Sequence, residues 1–155
     1  SLTFYRGTLT VFLVKRKKAV TLNVILENDL CFLYEYWTTI ASNISIDGFV
    51  CHYFYRKFQH RNVQRASGGI VLYYKDHLRK GISIVKNQSD TLIWVKLDHT
   101  FFNFESDIIV CGAYIWGLDS PAYNVVTIDL FETLESDITY FQSPGSSVYI
   151  LNILY

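Results

Sequence analysis

Several residue types are scarce in this chain of 155 residues, and each scarcity excludes a class of protein. Only 18% of the residues are charged while 50% are hydrophobic, a balance that excludes a disordered tail. Two Pro and 8 Gly are too few for a collagen or a low-complexity linker. No apolar run approaches the ~18 residues of a membrane span. The length is that of one domain and is sufficient to bury a core.

Cysteine is also scarce, and its placement excludes a disulfide scaffold. The three cysteines are odd in number, and each lies in an apolar run: Cys31, Cys51 and Cys111. We therefore expect reduced core cysteines in an intracellular protein of the nucleus or cytoplasm. The 4 His and 3 Cys show no zinc-ligand spacing.

Basic residues are absent from one part of the chain, although the net charge is zero. All 14 Lys and Arg lie in residues 1–96, with 6 acidic residues, whereas residues 97–155 contain 8 acidic residues and no Lys or Arg. The two parts can simply neutralise each other within one fold. They can equally form a basic surface for phosphate beside a carboxylate-rich edge.

Apolar runs predict several strands, and one amphipathic segment predicts a helix. The predicted strands are 30–34, 49–54, 70–74, 83–85, 91–97, 108–115 and 148–151. Residues 91–115 form an antiparallel hairpin in this interpretation, with 101–104 extending its first strand. Residues 122–140 form the helix, whose apolar face consists of Val125, Ile128, Phe131, Leu134 and Ile138. The pattern predicts an α/β or α+β fold with a mixed sheet.

Glu35 is the most informative acidic residue, because it directly follows the apolar run Leu30–Tyr34. A carboxylate at the end of a buried strand is costly to desolvate unless a cation lies near it. A hard divalent cation such as Mg²⁺ would supply that partner through oxygen ligands. The alternative is a strand-end glutamate in contact with water.

Tyr114 and a basic segment are further candidates for phosphate chemistry. Tyr114 ends a predicted strand, where a phenol can hydrogen-bond a phosphate, although it can also be a core or rim aromatic. Residues 48–75 contain no acid and carry four candidate phosphate-binding cations: Arg56, Lys57, Arg61 and Arg65. A solvated loop above an aromatic cluster explains the same segment.

Four motifs occur in order along the chain. They are Asp29-Leu-Cys-Phe-Leu-Tyr-Glu-Tyr-Trp37, Asp47-Gly-Phe49, the strand from Ser67-Gly-Gly69 to Lys75, and Val110-Cys-Gly-Ala-Tyr-Ile115, which a helix follows. Taken together, they resemble the endonuclease/exonuclease/phosphatase superfamily, which has the DNase-I-like fold. The resemblance covers about residues 20–152 and is closest to endonuclease domains of non-LTR (LINE-type) retrotransposons. Residues 1–19 are expected to be a non-family or poorly ordered segment, and residues 20–155 a partial domain.

The resemblance implies a four-layer α/β sandwich with mixed sheets and phosphodiester cleavage that uses Mg²⁺ or Mn²⁺. It makes Glu35 the metal-binding glutamate and Tyr114 the tyrosine that contacts the scissile phosphate. It also implies DNA as a partner and a downstream reverse transcriptase domain in a full-length protein. No membrane partner is expected, because no apolar run has the length of a span.

The chain departs from the family pattern at three places. Asn23 is too close to Glu35 to be the asparagine of the family's first strand. The family follows a later strand with "GDxN", but here Ile153 and Tyr155 stand where its Asp and Asn should be. The parts of the family pattern that lie beyond this strand, including a late Asp and an Asp-His pair, have no counterpart here.

These departures predict a truncated or frameshifted fragment of an endonuclease domain with little or no activity, since groups that act as a unit fail together. The alternatives are a non-catalytic nucleic-acid-binding module and a pseudogene product without function.

Overall fold

The computed structural model describes residues 2–4, 9–15, 21–34, 45–55, 69–87, 91–115 and 123–153. The chain divides into two compact units, Ser1–Lys80 and Gly81–Tyr155. Each unit contains one β-sheet with both parallel and antiparallel neighbours, together with helices. The predicted α/β class with mixed sheets is thereby confirmed.

The first unit contains a five-stranded sheet in the order β1-β2-β3-β5-β4. Its elements are β1 (Leu2–Phe4), β2 (Leu9–Lys15), α1 (Thr21–Glu27), β3 (Leu30–Tyr34), β4 (Phe49–Tyr55), β5 (Gly69–Lys75) and the start of a 3-10 helix (Asp76–Gly81). Strands β2 and β3 are parallel and are connected through α1, whereas the other neighbours are antiparallel.

Strand β3 lies in the middle of this sheet, and all five of its side chains are buried. Such continuous burial explains why the strand is apolar throughout instead of alternating. On one face, Ile25 of α1 packs against alternate residues of β3 and β5, namely Cys31, Leu33, Val71 and Tyr73. Helix α1 therefore covers this face through one buried side chain.

The second unit contains a four-stranded sheet in the order β6-β7-β8-β9. Its elements are β6 (Ile82–Lys86), β7 (Leu92–Leu97), α2 (His99–Phe102), β8 (Ile108–Tyr114), α3 (Tyr123–Gln142) and β9 (Ser147–Ile153). Strands β7 and β8 form the predicted antiparallel hairpin. Strands β8 and β9 are parallel and are connected through α3.

Helix α3 covers one face of this second sheet. Leu130, Leu134 and Phe141 form a buried cluster with residues of β7 and β8. The ring of Phe141 lies 4.8 Å from that of Trp94, whose side chain is fully buried. The predicted helix over 122–140 is thus confirmed in position.

The face of α3 differs from the prediction at two residues. Phe131, expected in the apolar face, is 49% exposed. Asp137 instead lies in the buried face, where its carboxylate accepts a hydrogen bond from Trp94 Nε1 (3.0 Å) and pairs with Lys86 Nζ (2.5 Å). A buried carboxylate needs such partners, and a pattern of apolar residues alone could not reveal them.

The expected strand extension at 101–104 was wrong. The short helix α2 occupies this segment, because Asp98 Oδ1 accepts a hydrogen bond from the Phe101 backbone N–H (2.9 Å) as its N-cap. Asn103 then ends the helix in the left-handed region at φ 58°. The aromatic residues that suggested a strand therefore belong to a capped turn.

The three cysteines are free thiols, as predicted. Cys31 and Cys111 are buried and Cys51 is half-buried. Burial raises the pKa of the Cys31 thiol to about 12, so this group stays protonated at neutral pH.

Among the described residues, no helix combines the length and the apolar character that crossing a bilayer requires.

Candidate functional site

Tyr114 lies at the carboxyl end of β8, where the sequence placed it. Its side chain is half-buried, and its backbone N–H donates to the Thr91 carbonyl oxygen (2.8 Å). The adjacent parallel strand β9 ends in register with it, so that Tyr114 and Ile153 are cross-strand neighbours. An aliphatic residue thus occupies the strand end beside the candidate tyrosine.

Glu35, the predicted metal ligand, lies outside the described residues. The same holds for the four predicted phosphate-binding residues Arg56, Lys57, Arg61 and Arg65, and for Tyr155. Their predicted roles therefore stay predictions. For Glu35 and the four basic residues, the strands before and after them in the sequence are described.

Four strands of the first unit share one edge of their sheet. The parallel strands β2 and β3 end there together, and the antiparallel partners β4 and β5 respectively end and begin there. The strand-end residues at this edge are Lys15, Tyr34, Tyr55 and Gly69. In the sequence, each of the first three is followed directly by a charged residue: Arg16 after Lys15, Glu35 after Tyr34 and Arg56 after Tyr55. We call this edge of the sheet the 15/34/55 edge.

Asp29 opens the first family-like motif, and its observed role is structural. It lies at the opposite end of β3 from the 15/34/55 edge. Its Oδ2 accepts hydrogen bonds from the backbone N–H (2.8 Å) and the hydroxyl (3.1 Å) of Thr10, and its Oδ1 pairs with Lys75 Nζ (3.1 Å). One carboxylate therefore connects β2, β3 and β5.

Within the described residues, one group of side chains has the spacing of a metal site. The ligand atoms of Asp98, His99 and Asp107 all lie within 4.8 Å of one another. The cluster lies where β7 ends and β8 begins, whereas Tyr114 lies at the other end of β8. This group was not predicted from the sequence, because α2 and the loop after it separate Asp107 from Asp98 and His99.

The hydrogen bonds of this cluster explain its geometry without an ion. Asp107 Oδ1 accepts from the backbone N–H of His99 (2.9 Å) and lies 2.6 Å from its Nδ1. The backbone N–H bond, together with the imidazole, lowers the pKa of Asp107 below its ordinary value. Asp98 meanwhile caps α2. Both carboxylates thus stabilise the turn between β7 and β8.

Comparisons by sequence identified no relative of this chain. No family model matches it, and no curated protein matches it.

Comparison with solved structures does find similar proteins. The structure of the human Nocturnin catalytic domain with bound sulfate anion matches with a TM-score of 0.54 at 15% identity, over 87% of this chain and 55% of that one. ANGEL2, described as a 2',3'-cyclic phosphatase, matches with a TM-score of 0.52 at 13% identity, over 93% of this chain and 51% of that one. Both belong to the endonuclease/exonuclease/phosphatase superfamily. The chain spans about half the length of these two structures, and the likeness shows that it has the DNase-I-like fold.

Proposed function

We propose that this chain is part of a metal-dependent DNA endonuclease domain from a retrotransposon open reading frame, and that the 155 residues alone have little or no nuclease activity. The observation that carries the proposal is the 15/34/55 edge. The strands that end at Lys15, Tyr34 and Tyr55 all end at this same edge of the sheet.

The sequence next to this edge has the chemistry that a phosphodiester requires. Lys15 begins a run of four cations that continues to Lys18, and Tyr55 precedes the segment with Arg56, Lys57, Arg61 and Arg65. Such cations bind phosphate oxygens and release the counterions of nucleic acid. In the sequence, both groups of cations directly adjoin strands that end at this edge, and the proposal is that they bind the same phosphate backbone.

Glu35 follows the end of β3 at this same edge. Its carboxylate is an oxygen donor of the type that Mg²⁺ or Mn²⁺ prefers, so the residue fits the predicted metal. When bound, such an ion would neutralise phosphate charge and lower the pKa of a water molecule. Glu35 would hold the ion. The resemblance gives Tyr114 a separate role, in which its phenol would donate a hydrogen bond to a phosphate oxygen.

Low activity is proposed because of the residue beside Tyr114. The resemblance places an aspartate that acts on the attacking water at position 153, and this chain has Ile153 there, in register with Tyr114. An aliphatic side chain can neither orient nor deprotonate water. Loss of one member of such a group removes most of the rate.

A supercoiled-plasmid nicking assay with Mg²⁺ tests the proposal. The chain, its Glu35→Ala variant and its Tyr114→Phe variant are compared at equal concentration. We expect all three to nick at the background rate. Nicking by the unaltered chain that disappears in Glu35→Ala would contradict the low activity and would identify Glu35 as a working ligand.

The second candidate function is a nucleic-acid-binding module without catalysis. It is favoured by residues 48–75, which contain four closely spaced cations and no acid. It predicts affinity for DNA that decreases steeply with salt concentration.

A pair of matched charge reversals tests this second function. Arg56→Glu/Lys57→Glu alters the segment after β4, whereas Arg79→Glu/Lys80→Glu changes the net charge equally at exposed residues of the 3-10 helix, beyond the other end of β5. We expect the first pair to weaken DNA binding by about tenfold and the second by less than about twofold. Equal losses of DNA affinity in the two pairs, or a DNA affinity that does not change with salt concentration, would refute this function. A product without function would then be the remaining alternative.

A further inference from the structure

The second unit has a surface that the proposed endonuclease function does not use. Residues 97–155 contain eight acidic residues and no Lys or Arg, so the acidic patches of this part of the chain disfavour nucleic acid. The acidic residues are not spread evenly. Several of them line two neighbouring grooves on α3 and on the loop before β8.

The two grooves meet at Tyr140. The larger has a volume of about 830 Å³, and its lining includes Glu105, Asp107 and Tyr140. The smaller has a volume of about 530 Å³ and is lined by Glu132, Glu135, Ser136, Thr139 and Tyr140. We call the two grooves and the ring between them the Tyr140 surface. It is at the carboxyl end of α3, near the start of β9, and so at the opposite end of the sheet from Tyr114.

Tyr140 is held in place although it is 71% exposed. Its ring makes an edge contact with that of Phe141, at 5.2 Å between centroids and 76° between planes. Phe141 is buried against Trp94. The backbone carbonyl of Tyr140 accepts a hydrogen bond from the Ser143 hydroxyl (2.8 Å). An exposed aromatic ring on such a rigid support loses little entropy when it binds a partner.

Carboxylates lie on both sides of this ring. In the larger groove Glu105 is exposed, whereas Asp107 is already paired with His99 Nδ1 (2.6 Å). Glu132 and Glu135 are exposed on α3 and are three residues apart, so they face the same side of the helix. Lys96 is the one Lys or Arg among the described residues that line either groove. The surface is therefore negative on both sides of an aromatic centre.

We propose that the Tyr140 surface is a docking site for an extended, Lys/Arg-rich segment of a partner protein. A cation above the Tyr140 ring would be attracted by its π-face, and cations on either side would pair with the carboxylates of the two grooves. An extended segment advances ~3.3 Å per residue, so a few consecutive basic residues can reach both grooves. The excess of carboxylates at the surface favours a basic partner and disfavours nucleic acid.

A fluorescein-labelled octa-arginine peptide is the probe, measured by fluorescence anisotropy with the full 155-residue chain in 0.15 M NaCl. Glu132→Lys/Glu135→Lys is compared with Glu27→Lys/Asp47→Lys, a control that makes the same charge change at exposed residues of the first unit. Tyr140→Ala is compared with Tyr149→Ala, which removes another exposed ring of the second unit. Circular dichroism checks that each variant remains folded.

The expected result is a loss of about tenfold in affinity for Glu132→Lys/Glu135→Lys and about threefold for Tyr140→Ala. Each control variant should lower the peptide affinity by less than about half of the fold-change measured for the variant with which it is compared. Equal losses in the two charge-reversal pairs would show attraction to net charge alone and would overturn the proposal. Equal losses for the two tyrosine variants would overturn the role of the ring.

Sedimentation equilibrium of the unlabelled chain separates a distinct partner from a second copy. We expect a monomer. A dimer that dissociates in Glu132→Lys/Glu135→Lys would replace the proposed partner by the basic part of another copy of this chain. Neither experiment depends on nuclease activity, so they can succeed or fail independently of the proposed function.

Discussion

The two units build the same motif, a pair of parallel strands connected by a helix, but they anchor that helix differently. In the first unit, α1 has seven residues, and Ile25 is its one buried side chain among those described, while Leu22 and Leu26 are exposed. In the second, the 20-residue α3 buries several large side chains and adds the pairing of Asp137 with Lys86 and Trp94. The same motif of two parallel strands and a connecting helix can therefore be stabilised by very different helix contacts.

The two units also differ in net charge. Residues 1–80 contain twelve Lys and Arg against five acidic residues, and residues 81–155 contain two against nine. The net charges are therefore +7 and −7. Zero net charge for the whole chain conceals two surfaces suited to partners of opposite sign.

The largest expected effect tests whether α3 is anchored more strongly than α1. Phe141→Ala should lower the free energy of unfolding by about 3–4 kcal/mol, because it leaves a cavity beside Trp94. Ile25→Ala should cost about 2 kcal/mol, and Phe131→Ala, at an exposed site, less than about 0.5 kcal/mol. Urea unfolding measures all three. A larger loss for Ile25→Ala than for Phe141→Ala would reverse the comparison.

An intermediate effect compares the ion pairs of the two units. Lys86→Met should cost about 2–3 kcal/mol, because it leaves the buried Asp137 carboxylate without its cation. Lys75→Met should cost about 1 kcal/mol, because Asp29 retains its hydrogen bonds from Thr10.

A double variant shows whether the cost of Lys86→Met comes from the unpaired charge. Lys86→Met/Asp137→Asn should recover more than half of the loss, since an uncharged amide oxygen can still accept from Trp94. If urea unfolding shows no recovery, packing by the Lys86 stem would be the cause instead.

The smallest expected effect is a difference in pH dependence. His52 Nε2 lies 3.0 Å from the Tyr74 hydroxyl, and burial lowers the pKa of His52 below its ordinary value of 6.5. A lowered histidine pKa means that the unfolded state binds the proton more readily. Stability from neutral His52 is therefore present above pH 6.5 and lost as the pH falls through the lower folded value.

Asp107 is the matched group in the second unit. Its pKa is lowered from 3.8, so its contribution is lost only below that pH. Between pH 7 and 5, His52→Gln should flatten the dependence of unfolding free energy on pH, whereas Asp107→Asn should leave the slope unchanged. If only Asp107→Asn changed this slope, the pH dependence of the unfolding free energy between pH 7 and 5 would come from the second unit and not from His52.

The sequence predicted the elements whose patterns result from burial. Strand β3 is buried on both faces, and its continuous apolar run predicted this. The hairpin of β7 and β8 and the helix α3 were likewise recognisable from apolar spacing. The likeness to Nocturnin and ANGEL2 confirms the fold that four short motifs suggested.

Features that depend on contacts between distant residues were not predictable. Asp137 looks like any acidic helix residue until Lys86 and Trp94 are brought beside it. The aromatic residues after Asp98 suggested a strand, but the cap formed by that residue favours a helical turn.

The candidate site was predicted only in part. Tyr114 lies at a strand end, as expected. The roles of Glu35 and the four basic residues stay predictions, as does the assignment of residues 1–19 to a segment outside the family domain. Strands β1 and β2 fall within that segment and belong to the first sheet, although they were not predicted as strands.

The two parallel strand pairs also differ in the length of chain that must be closed to form them. Partners in the first pair, such as Lys15 and Tyr34, are 19 residues apart, whereas partners in the second, such as Tyr114 and Ile153, are 39 apart. Doubling the length of a loop adds ~0.6 kcal/mol to the entropy cost of closing it. During synthesis from the amino terminus, β2 and β3 can therefore pair while α3 is still absent. Pulse-labelled hydrogen exchange during refolding should then show amides of β3 protected before those of β9.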